Sequence, residues 1–125
     1  LDTNLYGDLN YATLSPDDYQ IGISPWKNDI NGEKEAFLWF PSRKSGGLNN
    51  VKIASTKHEG VYRLEAAIPW SVYGVTPTSG QQYGFGVSVS DNDLTGENVQ
   101  QSMVSNLPYR SLLNPTTWTV LTLVK

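Results

Sequence analysis

Apolar and polar residues alternate with a period of two in several short stretches of this chain. Tyr19, Ile21 and Ile23 point one way and Gln20 and Gly22 the other, which predicts a half-buried strand over residues 19–23. Ser24-Pro25 stops it, and the polar segment 26–34 reads as a loop with a turn at Asn31-Gly32. Residues 36–40 are apolar on both faces, which predicts a central strand, and Pro41 ends it. A loop over 45–50 contains Gly46-Gly47. Val51, Ile53 and Ser55 then alternate with Lys52, Ala54 and Thr56, and Glu59-Gly60 turns the chain. Tyr62, Leu64, Ala66 and Ile68 fill one face of the next strand, with Arg63 and Glu65 opposite. These two strands form the clearest hairpin in the sequence.

Pro69 suits the first position of a short helical turn, and Gly74 suits its end. Tyr83, Phe85, Val87 and Val89 form a further inward row, with Gly84, Gly86, Ser88 and Ser90 outward. An acidic loop covers 91–97, another strand is expected over 100–105, and a last one, apolar on both faces, over 117–124. The rows at 62–68 and 83–89 are expected to face each other across one dry interior. About seven short strands with turns between them predict an all-β fold, an antiparallel β-sandwich of jelly-roll type, as a single domain over 1–125. Residues 1–5 finish a strand that has no earlier partner. The expectation is an incomplete domain whose preceding strands are absent or come from another chain.

Composition narrows the function. With 125 residues, the chain suits one domain. The net charge of -3, with scattered Lys and Arg, leaves no footprint for nucleic acid. No basic amphipathic stretch suits a membrane surface, and no apolar run approaches the length of a spanning helix. No signal peptide is visible, and the opening Leu1 implies a processed, trimmed or excerpted chain. The absence of cysteine removes disulfides, thiolate metal sites and Cys nucleophiles together.

Four strings carry a resemblance. They are Ser15-Pro16-Asp17-Asp18-Tyr19-Gln20-Ile21, Leu64-Glu65-Ala66-Ala67-Ile68-Pro69-Trp70, Ser90-Asp91-Asn92-Asp93 and Asn114-Pro115-Thr116-Thr117-Trp118. In this order and spacing the chain resembles the family 9 carbohydrate-binding modules, over about the C-terminal two-thirds of that domain. The resemblance implies a non-catalytic β-sandwich, often with structural calcium, appended to secreted or cell-surface polysaccharide-degrading proteins. It also implies capture of glycan reducing ends between two tryptophans, with Glu, Arg, Gln and Asn bonding the hydroxyls. Pyranose rings have apolar C–H faces that stack on an indole, and their hydroxyl edges need directed partners. Aligned on these strings, the two clamp tryptophans fall at Leu14 and Leu112, the Glu at Gln20, the Arg near Leu38 and the Gln near Ser88. The familiar clamp is therefore expected to be lost.

Other candidates are weighed on their chemistry. Asp91, Asp93 and Glu97 are the densest hard oxygen ligands, with Asp2, Asp8, Asp17 and Asp18 as further calcium candidates. A polar turn whose side chains bond their own backbone explains 91–97 equally. Trp26, in a loop, suits a glycan platform or a lid on the core. Trp39, Trp70 and Trp118 read as packing residues. Tyr109 and Arg110 lie beside the second lost clamp position and complete the sugar-contact candidates with Trp26 and Gln20. A structural role for Arg110, paired with Asp91 or Asp93, stands beside that reading. His58 is the sole histidine, placed in a turn, and supports neither a zinc site nor a catalytic triad. Glu65 lacks a partner carboxylate for glycoside hydrolysis, and Gly84 and Gly86, inside a strand, are no nucleotide loop. They mark close backbone approach or a bend. Two functions follow. One is non-catalytic binding of a polysaccharide or glycan. The other is a structural or adhesive subunit of an extracellular assembly or filament, completed by strand addition from a neighbouring subunit.

Overall fold

The computed structural model describes residues 1–27, 31–91, 94, 97 and 99–125. The chain divides into two compact units, Pro16–Pro77 and a second made of Leu1–Ser15 with Thr78–Lys125. All strand pairing is antiparallel, in four small sheets, and the helical content among the described residues is three short 3-10 turns. The fold is all-β and sandwich-like, as the alternation predicts.

In Pro16–Pro77, β1 (Gln20–Ser24), β2 (Glu35–Phe40) and the two-residue β3 (Gly46–Gly47) form a sheet in that order. β2 is the central strand, as its apolar faces predict. The loop expected over 45–50 contains β3, since Gly46 and Gly47 pair with Leu38 and Phe37. Ile21 and Ile23 lie opposite Leu38 and Ala36, and Leu38 and Ala36 are buried together with Tyr19. The other face carries the row Gly22–Phe37–Gly47, followed by Trp39.

β4 (Lys52–His58) and β5 (Val61–Ala67) are the predicted hairpin, in unbroken register from Lys52↔Ala67 to His58↔Val61. Its two-residue loop has positive φ at both positions, 49° at Glu59 and 78° at Gly60, the signature of a primed turn that matches strand twist. The row Tyr62, Leu64, Ala66 shares a face with Lys57, Ser55 and Ile53, so the alternation is real. Its predicted burial is not: Tyr62 is 48% and Leu64 44% exposed. Alternation decides which residues share a face, whereas burial requires a second layer over that face. A 3-10 turn, Trp70–Val72, follows Pro69, and Gly74 closes it at φ 70°.

In the other unit, β6 (Gln82–Phe85) pairs with β9 (Thr119–Thr122), and β7 (Ser88–Asp91) with β8 (Ser102–Ser105). The single strand expected over 83–89 is thus two strands in different sheets. The break falls at Gly86, where a Cβ would stand 2.8 Å from Cδ of Arg110. Tyr83 is buried, but Val87 and Val89 face water, so the second half of that predicted inward row is also corrected. Near the start of the chain, Asp2 makes a two-bond bridge to Gly84, with N···O distances of 2.8 and 3.1 Å. Both glycines inside the expected strand therefore mark close approach.

Candidate functional site

Sugar recognition needs exposed aromatic groups beside polar ones, and the β1–β2–β3 sheet of Pro16–Pro77 carries an exposed tryptophan, Trp39. Strand alternation puts Phe37 and Trp39 on one face of β2 and Ala36 and Leu38 on the other. The small pair is buried, Leu38 to 3%, and Trp39 is 57% exposed. This overturns the core reading of Trp39. The Nε1 edge of the indole comes up against β1, 2.7 Å from where a Cβ on Gly22 would stand. The Phe37 ring is 4.5 Å from the indole, centroid to centroid, and tilted by 46°. Hydrophobicity pointed the wrong way here; the available signal was the pair of glycines, 22 and 47, on the strands flanking an aromatic face.

Two further aromatic groups lie in the same unit. Trp26 is half-buried and meets Tyr62 edge to face, centroids 5.4 Å apart at 89°. It covers part of the outward row of β5. Tyr73 packs between Tyr19 at 5.3 Å and Trp70 at 5.8 Å. Lys44 donates to the Tyr19 hydroxyl at 2.7 Å and sits 4.9 Å from the centre of that ring. Burial pushes the Tyr73 phenol above its usual value, because the phenolate would be poorly solvated there. Gln20, half-buried, opens β1 opposite Phe40. On the exposed surface, Lys27 pairs with Glu35 at 3.1 Å and lies 3.8 Å from Glu33. The hydrogen bond to Glu35 raises the lysine's pKa.

Tyr109 and Arg110 belong to the other unit. Tyr109 is exposed. The Arg110 guanidinium donates to Ser105 Oγ at 2.7 Å and to Ser88 Oγ; of the two carboxylates expected beside it, Asp93 lies outside the described residues. These two hydroxyls come from the paired strands β7 and β8, so Arg110 ties that hairpin together. Asp91, at the end of β7, lies opposite Ser102 instead. The indole N–H of Trp118 donates to Ser111 O at 3.0 Å. The four sugar-contact candidates are split between the units, Gln20 and Trp26 in one, Tyr109 and Arg110 in the other.

Of the calcium candidates, Asp91 and Glu97 are exposed, and Asp93 lies outside the described residues. Glu97 N–H donates to Leu94 O at 3.3 Å, a turn bond within that segment. In the unit containing the chain's start, Asp2 and Asp8 each place a carboxylate oxygen within 4.8 Å of the other. Asp2 is buried and also accepts from Asn4 N–H at 2.7 Å. Two carboxylates this close repel unless a proton or cation lies between them, and hard oxygen donors suit calcium. Asp18, in the other unit, is 0% exposed. His58 lies on the exposed hairpin tip, 3.9 Å from Glu59.

The family model described as carbohydrate family 9 binding domain-like matches residues 16–125. The chain belongs to that family. Family 9 modules are non-catalytic, and this chain is not an enzyme. The match spans all of Pro16–Pro77 and the 78–125 part of the other unit. No curated protein and no solved structure matches the chain. No helix among the described residues is long and apolar enough to cross a membrane.

Proposed function

We propose that this family 9 chain binds carbohydrate without transforming it, as one module, residues 1–125, of a secreted or cell-surface protein. Family membership over residues 16–125 carries the reading. Physical support comes from aromatic side chains left in water, which offer stacking faces for pyranose rings. The two-tryptophan clamp is replaced by Leu14 and Leu112 in this reading, so contacts at other aromatics and at Gln20, Tyr109 and Arg110 take over its role. Asp2 and Asp8 hold a structural calcium ion that orders the segment around residues 2–8.

Calorimetric titration with xylan, cellulose fragments and short sugars tests this directly. Binding to at least one of them is the expected result, and silence across the panel sinks the reading. Trp26→Ala should weaken binding severalfold where Trp26 contributes a face; unchanged affinity removes it from the site.

A second reading, a structural or adhesive subunit of an extracellular assembly, is favoured by one observation. Apolar side chains are exposed in cross-strand pairs, notably Val89 opposite Val104 at 63% and 74% exposure. Such pairs suit a protein contact. Self-association on size-exclusion chromatography, combined with no glycan binding, would establish this reading in place of the first.

A further inference from the structure

We propose that β5 is a pairing edge, and that its partner is β5 of a second copy of this chain. The two strands meet antiparallel about a two-fold axis at Leu64, giving a four-stranded sheet in the order β4–β5–β5–β4. The inference stands apart from sugar binding, because it needs no ligand.

The hairpin leaves that edge open. β4 and β5 form a sheet of two, and β5 meets no further strand among the described residues. All seven residues of β5 are exposed, and the strand carries neither proline nor bulge. An edge this regular is a template for another strand unless something blocks it. The turn decides which backbone groups face outward. A two-residue loop of the primed type closes on a hydrogen-bonded pair, His58 with Val61, and such pairs recur at every second position. Arg63 and Glu65 therefore bond inward, to Thr56 and Ala54. The N–H and C=O groups of Tyr62, Leu64 and Ala66 point away from β4, and none of them has a backbone partner among the described residues.

Charge then names the occupant and the register. Arg63 and Glu65 share one face of β5 and lie opposite Thr56 and Ala54, so neither meets an opposite charge across the hairpin. Neither forms an ion pair among the described residues. Only residues 62, 64 and 66 can bond across the new edge, which leaves few two-fold registers. An axis at Arg63 sets that arginine against its own copy, and an axis at Glu65 does the same with two acids; like charges directly opposite are destabilising. An axis at Leu64 instead sets each Arg63 opposite Glu65 of the second copy, so one self-complementary pattern satisfies both chains. The same register puts Tyr62 opposite Ala66, large against small, and joins the two apolar rows into one face around Leu64. Pairing along one edge buries less surface than a permanent dimer does, so the association is weak and grows with concentration.

Sedimentation of the full chain over a concentration series should show a monomer–dimer equilibrium. Arg63→Glu sets acids against each other at both pairs and should weaken association about tenfold or more. Glu65→Arg should do the same, and both variants should keep the melting transition because the two positions are exposed. Combining the two substitutions exchanges the charges and should restore the dimer. The chain has no cysteine, so Leu64→Cys gives each copy a single thiol. Across a hydrogen-bonded pair the Cα atoms stand about 5.5 Å apart, within disulfide reach, so mild oxidation should link the two copies. A chain that stays monomeric at every concentration overturns the proposal and leaves the edge to a strand of different sequence. A dimer that ignores both charge reversals and gives no cross-link also overturns it. That result places self-association elsewhere, as at Val89 and Val104, and leaves the structural-subunit reading intact.

Discussion

Tyr73 links packing to pH. Its phenol sits between Tyr19 and Trp70, and burial raises its pKa above 10.0. Above pH 10 the unfolded chain gives up this proton while the folded chain keeps it. The unfolded state then binds fewer protons, and stability falls as pH rises. The melting temperature should therefore decline above pH 10, and Tyr73→Phe should decline less over the same interval. Equal declines would show that the phenol is as easily ionised in the folded chain as in water. Trp39 teaches a different lesson at this scale. Its type argued for the interior, and its exposure follows from sharing a strand face with Phe37 and not with Leu38. Arg110 shows a contact that its charge does not announce: it bonds two serine hydroxyls across a hairpin.

At the scale of elements, most strands were legible because their signals are local. The Glu59-Gly60 turn shows this best. Two residues separate strands whose alternation is in phase, and the loop is a primed turn as that spacing requires. Glu59 pays for its φ of 49° with steric strain that Asn tolerates better. Glu59→Asn should stabilise the chain by about 0.5–1 kcal/mol, measured by denaturant unfolding. No gain would mean that the backbone there relaxes freely to accept Glu. The split of residues 83–89 into β6 and β7 was not legible, because alternation continues through the break. At the break the Arg110 side chain lies close to Gly86, a contact across sequence that no local pattern records.

For the molecule as a whole, family membership organises the chemistry: a non-catalytic, all-β chain of the family 9 type. The Asp2–Asp8 pair makes a prediction at this scale. A chelator should lower the melting temperature, and added calcium should restore it. A cation at a hundred times its Kd contributes about 2.7 kcal/mol. Asp2→Asn should abolish the sensitivity. A melting curve indifferent to chelator would remove calcium from the account. In the acidic segment 91–97, Asp91 and Glu97 are exposed and Asp93 lies outside the described residues, while Asp2 and Asp8 stand together although six positions apart.

By itself, the sequence determined the β character, nearly all the strand positions, the hairpin turn and, through four spaced strings, the family. Each of these depends on residues a few positions apart or on motif order. Only the tertiary structure decided which face of each strand meets water. A period of two is the same whichever face is covered, so Leu38 inside with Trp39 outside and the reverse arrangement are written alike. The choice is made by what packs against the strand, and so the candidate binding surface became visible only with the fold.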